Sequence, residues 1–279
     1  MDLNLSLTRP TEVRILLNQI GHRPNKGLGQ NYLIDANVIK FIINESNLES
    51  IDKILEIGPG LGSLTEEIFS KNNQLICIEK DSRMVSYLKK RFVSLNIIEK
   101  DVLEINLNDL FKLGVNKIIS NLPYSVASRV IVNIVECVNR PDFLLLTIQK
   151  EVADRIIAES GCKSYGILSV LIGIFYERSL VKKISPTCFF PSPKVWSAVV
   201  CLKKIEAPIL ENDDYEKFKY LVKHCFSQRR KQLKTSLKNL GISNIQESFN
   251  NLEVSPYSRP EQLDIETWVK VFHKLKNEI

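Results

Sequence analysis

From about residue 53 to residue 202 the chain alternates short apolar runs with stretches of helical periodicity. No other feature of the sequence restricts the fold so strongly. The runs cover 54–57, 75–78, 96–98, 117–119, 143–146, 180–184 and 198–202. Most are separated by segments such as Met84, Tyr87, Leu88 and Phe92, or Val130, Ile131, Ile134, Val135 and Val138, whose spacing predicts amphipathic helices. Strands alternating with helices imply a mostly parallel sheet covered on both faces. Seven runs of this kind predict an α/β, Rossmann-like, seven-stranded domain. The rhythm stops near Ala207-Pro208, and only helical patterns follow, over 213–226, 229–240, 244–251 and 264–276. The expected organisation is therefore a domain over residues 1–207, including an N-terminal arm, and a smaller all-α domain over 208–279. Within the arm, Pro10 and Gly21 bracket a short helix.

The first strand run leads into Gly58-Pro59-Gly60-Leu61-Gly62. A glycine-rich turn between a strand and a helix lets a ligand approach the backbone closely, since a side chain at Gly58 or Gly60 would fill that space. The motif alone is weak, because G-x-G-x-G is not the dinucleotide fingerprint. Glu79 closes the second run about 20 residues later, where a carboxylate bonds ribose hydroxyls in doubly wound folds. Asp101 follows the third run and offers an acceptor for an adenine amino group.

The fourth run ends in Ser120-Asn121-Leu122-Pro123-Tyr124-Ser125. Pro123 cannot donate to a ladder, so the chain turns there. By itself this tip is equally an ordinary turn or a reactive site. Asn121 can accept from and donate to an exocyclic amine, and Tyr124 offers a face for a planar ring. The ordered set of glycine turn, strand-two Glu, strand-three Asp and strand-four Asn-Leu-Pro-Tyr favours an adenosyl-sulfonium ligand over a nicotinamide.

The composition is that of a water-soluble protein, with 25% charged and 44% hydrophobic residues and a net charge of +6. No run is long enough to span a bilayer and no apolar signal core opens the chain, so a cytoplasmic protein without a membrane partner is expected. Six cysteines lie without a C-x-x-C pair and read as small buried hydrophobes, so no metal site is expected. His22, His224 and His273 read as structural or surface residues. The basic excess is local: Lys217, Lys219, Lys223, Arg229, Arg230, Lys231, Lys234 and Lys238 follow one another with no intervening acid. Such a stretch is either a solvated face or a phosphate-binding one.

Over nearly its full length the chain resembles the ribosomal RNA adenine N6,N6-dimethyltransferases, most closely the small-subunit enzymes linked to kasugamycin sensitivity. The matching segments are 26–33, 56–62, 121–124, Gln149-Lys150-Glu151 with its continuation to Arg155, Phe190-Pro191-Ser192-Pro193-Lys194-Val195, Gln228-Arg229-Arg230-Lys231 and Arg259-Pro260-Glu261-Gln262-Leu263. The resemblance implies S-adenosylmethionine held by Asn31 and Leu33, by Gly58 and Gly60 at the turn, by Glu79 on the ribose and by Asp101 with Val102 on the adenine. Asn121 would lie beside the reacting methyl, with Leu122, Pro123 and Tyr124 completing the catalytic tip. The loop 25–33, otherwise an ordinary connector, becomes a cofactor cover. Phe190 is implied as a pocket wall, while Phe189 reads equally as core.

Arg229, Arg230 and Lys231 are implied RNA contacts. The implied substrate is a pair of adjacent adenosines near the 3′ end of 16S rRNA in an assembling small subunit, acted on by a monomer. The alternatives are a large-subunit enzyme of the macrolide-resistance type, a non-catalytic nucleic-acid-binding factor on the same fold, and a DNA adenine methyltransferase. Two positions depart from the family pattern: Ala127 replaces a hydroxyl residue and Trp196 a common acidic one.

Overall fold

The computed structural model of the chain describes residues 5–24, 29–72, 74–242, 245–249, 252 and 254–279. Residues 25–28 of the expected cofactor cover lie outside the described residues. The elements are α1 (Pro10–Gln19), β1 (Tyr32–Leu33), α2 (Ala36–Glu45), β2 (Ile54–Ile57), α3 (Ser63–Lys71), β3 (Leu75–Glu79), α4 (Ser82–Arg91), β4 (Asn96–Glu99), α5 (Leu107–Lys112), β5 (Lys117–Asn121), α6 (Ala127–Glu136) and β6 (Phe143–Gln149). They continue with α7 (Lys150–Ile157), α8 (Ile167–Gly173), β7 (Tyr176–Ile184), β8 (Phe189–Phe190), β9 (Ser197–Lys204), α9 (Tyr215–Ser227), α10 (Leu233–Asn239), α11 (Ile245–Ser248) and α12 (Ile265–Leu275).

Seven strands form one sheet in the order β4-β3-β2-β5-β6-β9-β7. The five strands from β4 to β6 are parallel, and β9 joins antiparallel with Leu145 opposite Cys201. Every residue of β2 is buried, as a strand covered on both faces requires. On one face Ile54, Cys77, Ile119, Leu145 and Val199 pack beneath Val38, Ile42, Leu64 and Ile68 of α2 and α3. Each full burial of an aliphatic side chain contributes roughly 1.5–3 kcal/mol. Helix starts follow the sequence: Asp35 accepts from the amides of Asn37 and Val38, both at 2.9 Å, and Asp81 from that of Arg83 at 3.0 Å.

The strand order reverses between β2 and β5, the switch point where such sheets bind ligands. There the two strands pair only at Ile54 with Lys117 and Leu55 with Ile118. Beyond that the ladder gives way to the Ser120 hydroxyl, which donates to the Ile57 carbonyl at 2.5 Å. The parted strand ends open the crevice that the ligand needs.

A two-stranded ribbon not foreseen from sequence pairs Tyr32 with Phe190 and Leu33 with Phe189, antiparallel. Runs of two residues carry no periodicity, so nothing local announces it. The chain divides into two compact units, residues 1–153 with 179–203, and residues 154–178 with 204–279. In the second unit, the helix expected over 229–240 begins only at Leu233. α9 ends at Ser227, and residues 228–230 form a turn closed by Arg229 N–H to Phe226 O and Lys231 N–H to Gln228 O. Leu233 and Leu237 of α10 are buried. Cys77, Cys137, Cys201 and Cys225 are buried, whereas Cys162 is exposed, contrary to the reading of all six as buried hydrophobes. Among the described residues no helix is long and apolar enough to cross a membrane.

Candidate active site

The ends of β2, β3, β4 and β5 and the segment from Gly29 to Leu33 line one pocket, about 1030 Å³ including its open mouth. It gathers Asn31, Leu33, Gly58, Gly60, Glu79, Asp101, Val102, Asn121, Leu122, Pro123 and Tyr124. Residues more than ninety positions apart in the chain are thereby brought together.

The glycines are required by fit. Gly58 (φ 71°) leaves only 3.0 Å between a would-be Cβ and Pro123 Cγ, and Gly60 (φ 57°) only 2.9 Å to the Tyr32 ring. Gly29 packs equally close to the amides of Tyr124 and Ser125, at 3.0 and 3.1 Å. Side chains at these positions would both strain the backbone and fill the cradle.

The carboxylates differ in state. Glu79 accepts from the amides of Gly60 (3.2 Å), Lys80 (2.9 Å) and Asp81 (2.9 Å). Burial nonetheless raises its pKa, with the three N–H groups acting in the opposite sense. Asp101 is held below the usual carboxylate range by the Lys80 ammonium at 2.8 Å and then by the Leu103 amide at 3.0 Å. It is therefore ionised and keeps lone pairs for a donor. Glu56 lies under the glycine turn, where burial pushes its pKa up to about 8, and it accepts from Thr65 Oγ1 at 2.7 Å.

At the tip, Asn121 Nδ2 donates to the Asn31 carbonyl at 3.1 Å. A carbonyl can only accept, so this bond fixes the amide with Nδ2 toward Asn31 and Oδ1 the other way. Among the described residues Oδ1 is buried without a hydrogen-bond partner. A buried acceptor left so costs roughly 1–3 kcal/mol, and in a ligand pocket it marks the place of a missing donor. Leu122 N–H is anchored to the Thr147 carbonyl at 3.1 Å, and the Tyr124 hydroxyl is hydrogen-bonded to that of Ser197. Burial raises the Tyr124 pKa, which keeps the phenol neutral.

Several contributors carried no signal in the sequence. His22 is buried, with Nε2 3.0 Å from both Gln30 Oε1 and Tyr32 Oη and Nδ1 3.4 Å from Asp81 Oδ2. It thereby ties the Gly29–Leu33 segment to the end of β3. Ser197 and Lys80 likewise become visible only through their partners, although the Glu79-Lys80-Asp81 run could have hinted at a local charge pair.

Phe190 is half-buried on the ribbon and paired with Tyr32, with the Arg14 guanidinium 5.8 Å from its ring centre, and is not among the residues that line the pocket. Phe189 is core. Arg229, Arg230 and Lys231 belong to the second unit. Ala127 is buried at the start of α6, and its amide donates to the Pro123 carbonyl at 3.1 Å, a backbone bond that closes the turn. Trp196 is 52% exposed beside Ser197.

The family model for ribosomal RNA adenine dimethylase matches residues 21–277. Ribosomal RNA small subunit methyltransferase A of Clostridium botulinum is 36% identical over 264 residues, covering 92% of this chain and 95% of the relative. Its counterpart in Chlamydia caviae is 35% identical over 278 residues, covering 98% and 99%. Among solved structures, a dimethyladenosine transferase from Plasmodium falciparum superposes with a TM-score of 0.76 at 25% identity, over 88% of this chain and 97% of that one. A glycine cradle, two acidic strand ends and an unpartnered amide oxygen thus stand in a chain matched nearly end to end, and the chain belongs to the ribosomal RNA adenine dimethylase family.

Proposed function

We propose that the protein dimethylates the N6 amino groups of two adjacent adenosines in a loop near the 3′ end of 16S rRNA, during assembly of the small ribosomal subunit. The family match and the small-subunit names of the relatives support this substrate. The single observation that carries the chemistry is the buried, unpartnered Oδ1 of Asn121.

S-adenosylmethionine is the cofactor, and when bound it supplies an electrophilic methyl on a sulfonium. The glycine cradle, the partnerless amide oxygen and the two acceptor carboxylates fit it. Gly58 and Gly60 would admit its backbone-facing side, Glu79 would take the ribose hydroxyls, and Asp101, beside Val102, the adenine amino group. Asn31 and Leu33 would cover it.

The target amine is a poor nucleophile, because its lone pair is delocalised into the ring. Asn121 Oδ1 and the Leu122 carbonyl accept its N–H bonds and make the nitrogen more tetrahedral, and Pro123 holds those acceptors still. Tyr124, fixed by Ser197, stacks on the base, a contact worth roughly 1–3 kcal/mol. Rate then comes from positioning and from dipoles aimed at the charge that develops on nitrogen. No strong base is needed, since the methylated amine becomes acidic as the bond forms. A target in a loop lowers the cost of leaving the stack.

The helical segment 208–279 contributes the RNA contacts of Arg229, Arg230 and Lys231 in this reading. The protein acts as a cytoplasmic monomer on a partly assembled subunit. Phe190, set against Tyr32, supports the far side of the base pocket through that ring.

The test is methyl transfer from labelled S-adenosylmethionine to separated, unmethylated ribosomal subunits. Label on the small subunit is expected. Label confined to the large subunit selects the macrolide-resistance type instead, and no label selects a non-catalytic binding factor.

A further inference from the structure

The second unit contains a groove of about 1080 Å³, including its open mouth, that the transfer chemistry leaves unused. Arg230, Lys231, Gln232, Thr235, Tyr257 and Arg259 line it, together with one acid, Glu261. Tyr257, like Trp196 and Tyr220, leaves more than half of its surface exposed, 52% in its case. Its ring is nevertheless held in place. Lys234 Nζ lies 5.1 Å from the ring centre and 3.4 Å from the hydroxyl. The strap carrying Tyr257 is tied to α10, because the Leu233 and Lys234 amides donate to the Ser258 and Pro256 carbonyls, both at 2.8 Å. The Tyr257 amide donates to Ser255 Oγ at 3.2 Å.

Holding an apolar ring in water in one orientation costs free energy without contributing to the core. Such a ring is a ready platform for a planar ligand. The cations around it sharpen what that ligand is. Among the described residues, no carboxylate lies within ion-pair range of Arg230, Lys231 or Arg259. Arg229, by contrast, has neighbours within the unit, with Nε 3.7 Å from Glu261 Oε2 and Nη2 3.5 Å from the Cys162 carbonyl. Among the described residues the groove therefore offers three cations without an acidic partner beside one aromatic ring, and its one acid, Glu261, is set against Arg229.

We propose that this groove is a subsite for one splayed nucleotide of single-stranded RNA, its base stacked on Tyr257 and its flanking phosphates on Arg230, Lys231 and Arg259. Gln232 and Thr235 supply polar groups for the ribose or the base edge. A single strand is required, because in a duplex the bases are stacked on one another and present no free face. Stacking makes the subsite tolerant of sequence, and the cations make it sensitive to salt. The inference rests on the reading of the protein as an RNA-modifying enzyme. It adds that the substrate carries an unpaired segment which this unit grips.

The test is fluorescence anisotropy of the full chain titrated with an oligouridylate, with a strand of equal length lacking its bases, and with duplex RNA. Tyr257→Ala is expected to weaken oligouridylate binding about 5- to 150-fold, the range that corresponds to loss of one stack. It should leave the base-free strand and the duplex unchanged. Tyr257→Phe should bind as the parent does, and thermal melting checks that both variants are folded.

Replacing Arg230 and Lys231 by Gln should weaken both single strands alike and reduce the salt slope by about 0.7 per phosphate contact. Unchanged oligouridylate binding by Tyr257→Ala, or an equal loss on all three ligands, overturns the proposal. Methyl transfer by the parent protein is measured in the same preparation. Transfer without base-dependent binding at Tyr257 defeats the groove alone, while base-dependent binding without transfer leaves the groove standing and defeats the enzymatic reading.

Discussion

Replacing Asn121 by Ala separates chemistry from stability, because the side chain has one satisfied and one unsatisfied polar end. Losing the Nδ2 bond to the Asn31 carbonyl removes about 0.5–1.5 kcal/mol. Removing the buried, unpartnered Oδ1 relieves about 1–3 kcal/mol. The two offset, so the ligand-free variant should melt within a few degrees of the parent or slightly above it, at about 2–4 °C per kcal/mol for a chain of this order of size. Transfer to the adenine amine should meanwhile fall about a hundred- to a thousand-fold, the usual effect of removing one preorganised dipole from a reacting centre.

Asn121→Asp is the complementary variant. Its carboxylate cannot donate to the Asn31 carbonyl, so it should lose stability as well as activity. The assays are single-turnover transfer of labelled methyl to isolated small subunits and thermal melting of the ligand-free proteins. An Asn121→Ala protein that transfers at the parent rate refutes the role of Oδ1. One that melts far below the parent shows that Asn121 is a packing residue.

Two further predictions follow from the groups beneath the turn. Glu56 has a folded-state pKa raised to about 8 from 4.5, so the folded protein binds a proton that the unfolded chain releases. Its contribution is fully present below about 4.5 and is lost as pH rises through about 8. Glu56→Gln should therefore flatten the decline in urea-unfolding free energy between those values, and identical slopes for parent and variant would defeat the assignment. Gly60→Ala places a Cβ 2.9 Å from the Tyr32 ring at φ 57°, with left-handed strain of roughly 1–2 kcal/mol. Titration calorimetry should show weakened S-adenosylmethionine binding and melting a lower midpoint, whereas unchanged affinity would mean that the cradle gives way freely.

The local pattern of the chain determined the α/β class, the seven strands and the positions of Gly58, Glu79, Asp101 and Asn121 at successive strand ends. Each of these is a property of neighbours in sequence: runs of buried residues, a turn that needs glycine, an acid where a strand stops. The ribbon joining Tyr32 to Phe190, the late start of α10 and the His22 latch on Gln30, Tyr32 and Asp81 have no such local cause. They depend on partners that only the folded chain brings together, such as Ser258 and Pro256, whose carbonyls take the Leu233 and Lys234 amides. The same is true of the decisive feature of the site. Sequence placed an amide at the tip of β5, but only the folded chain gave Nδ2 a carbonyl and left Oδ1 buried without a donor, because that asymmetry depends on Asn31, ninety residues away along the chain.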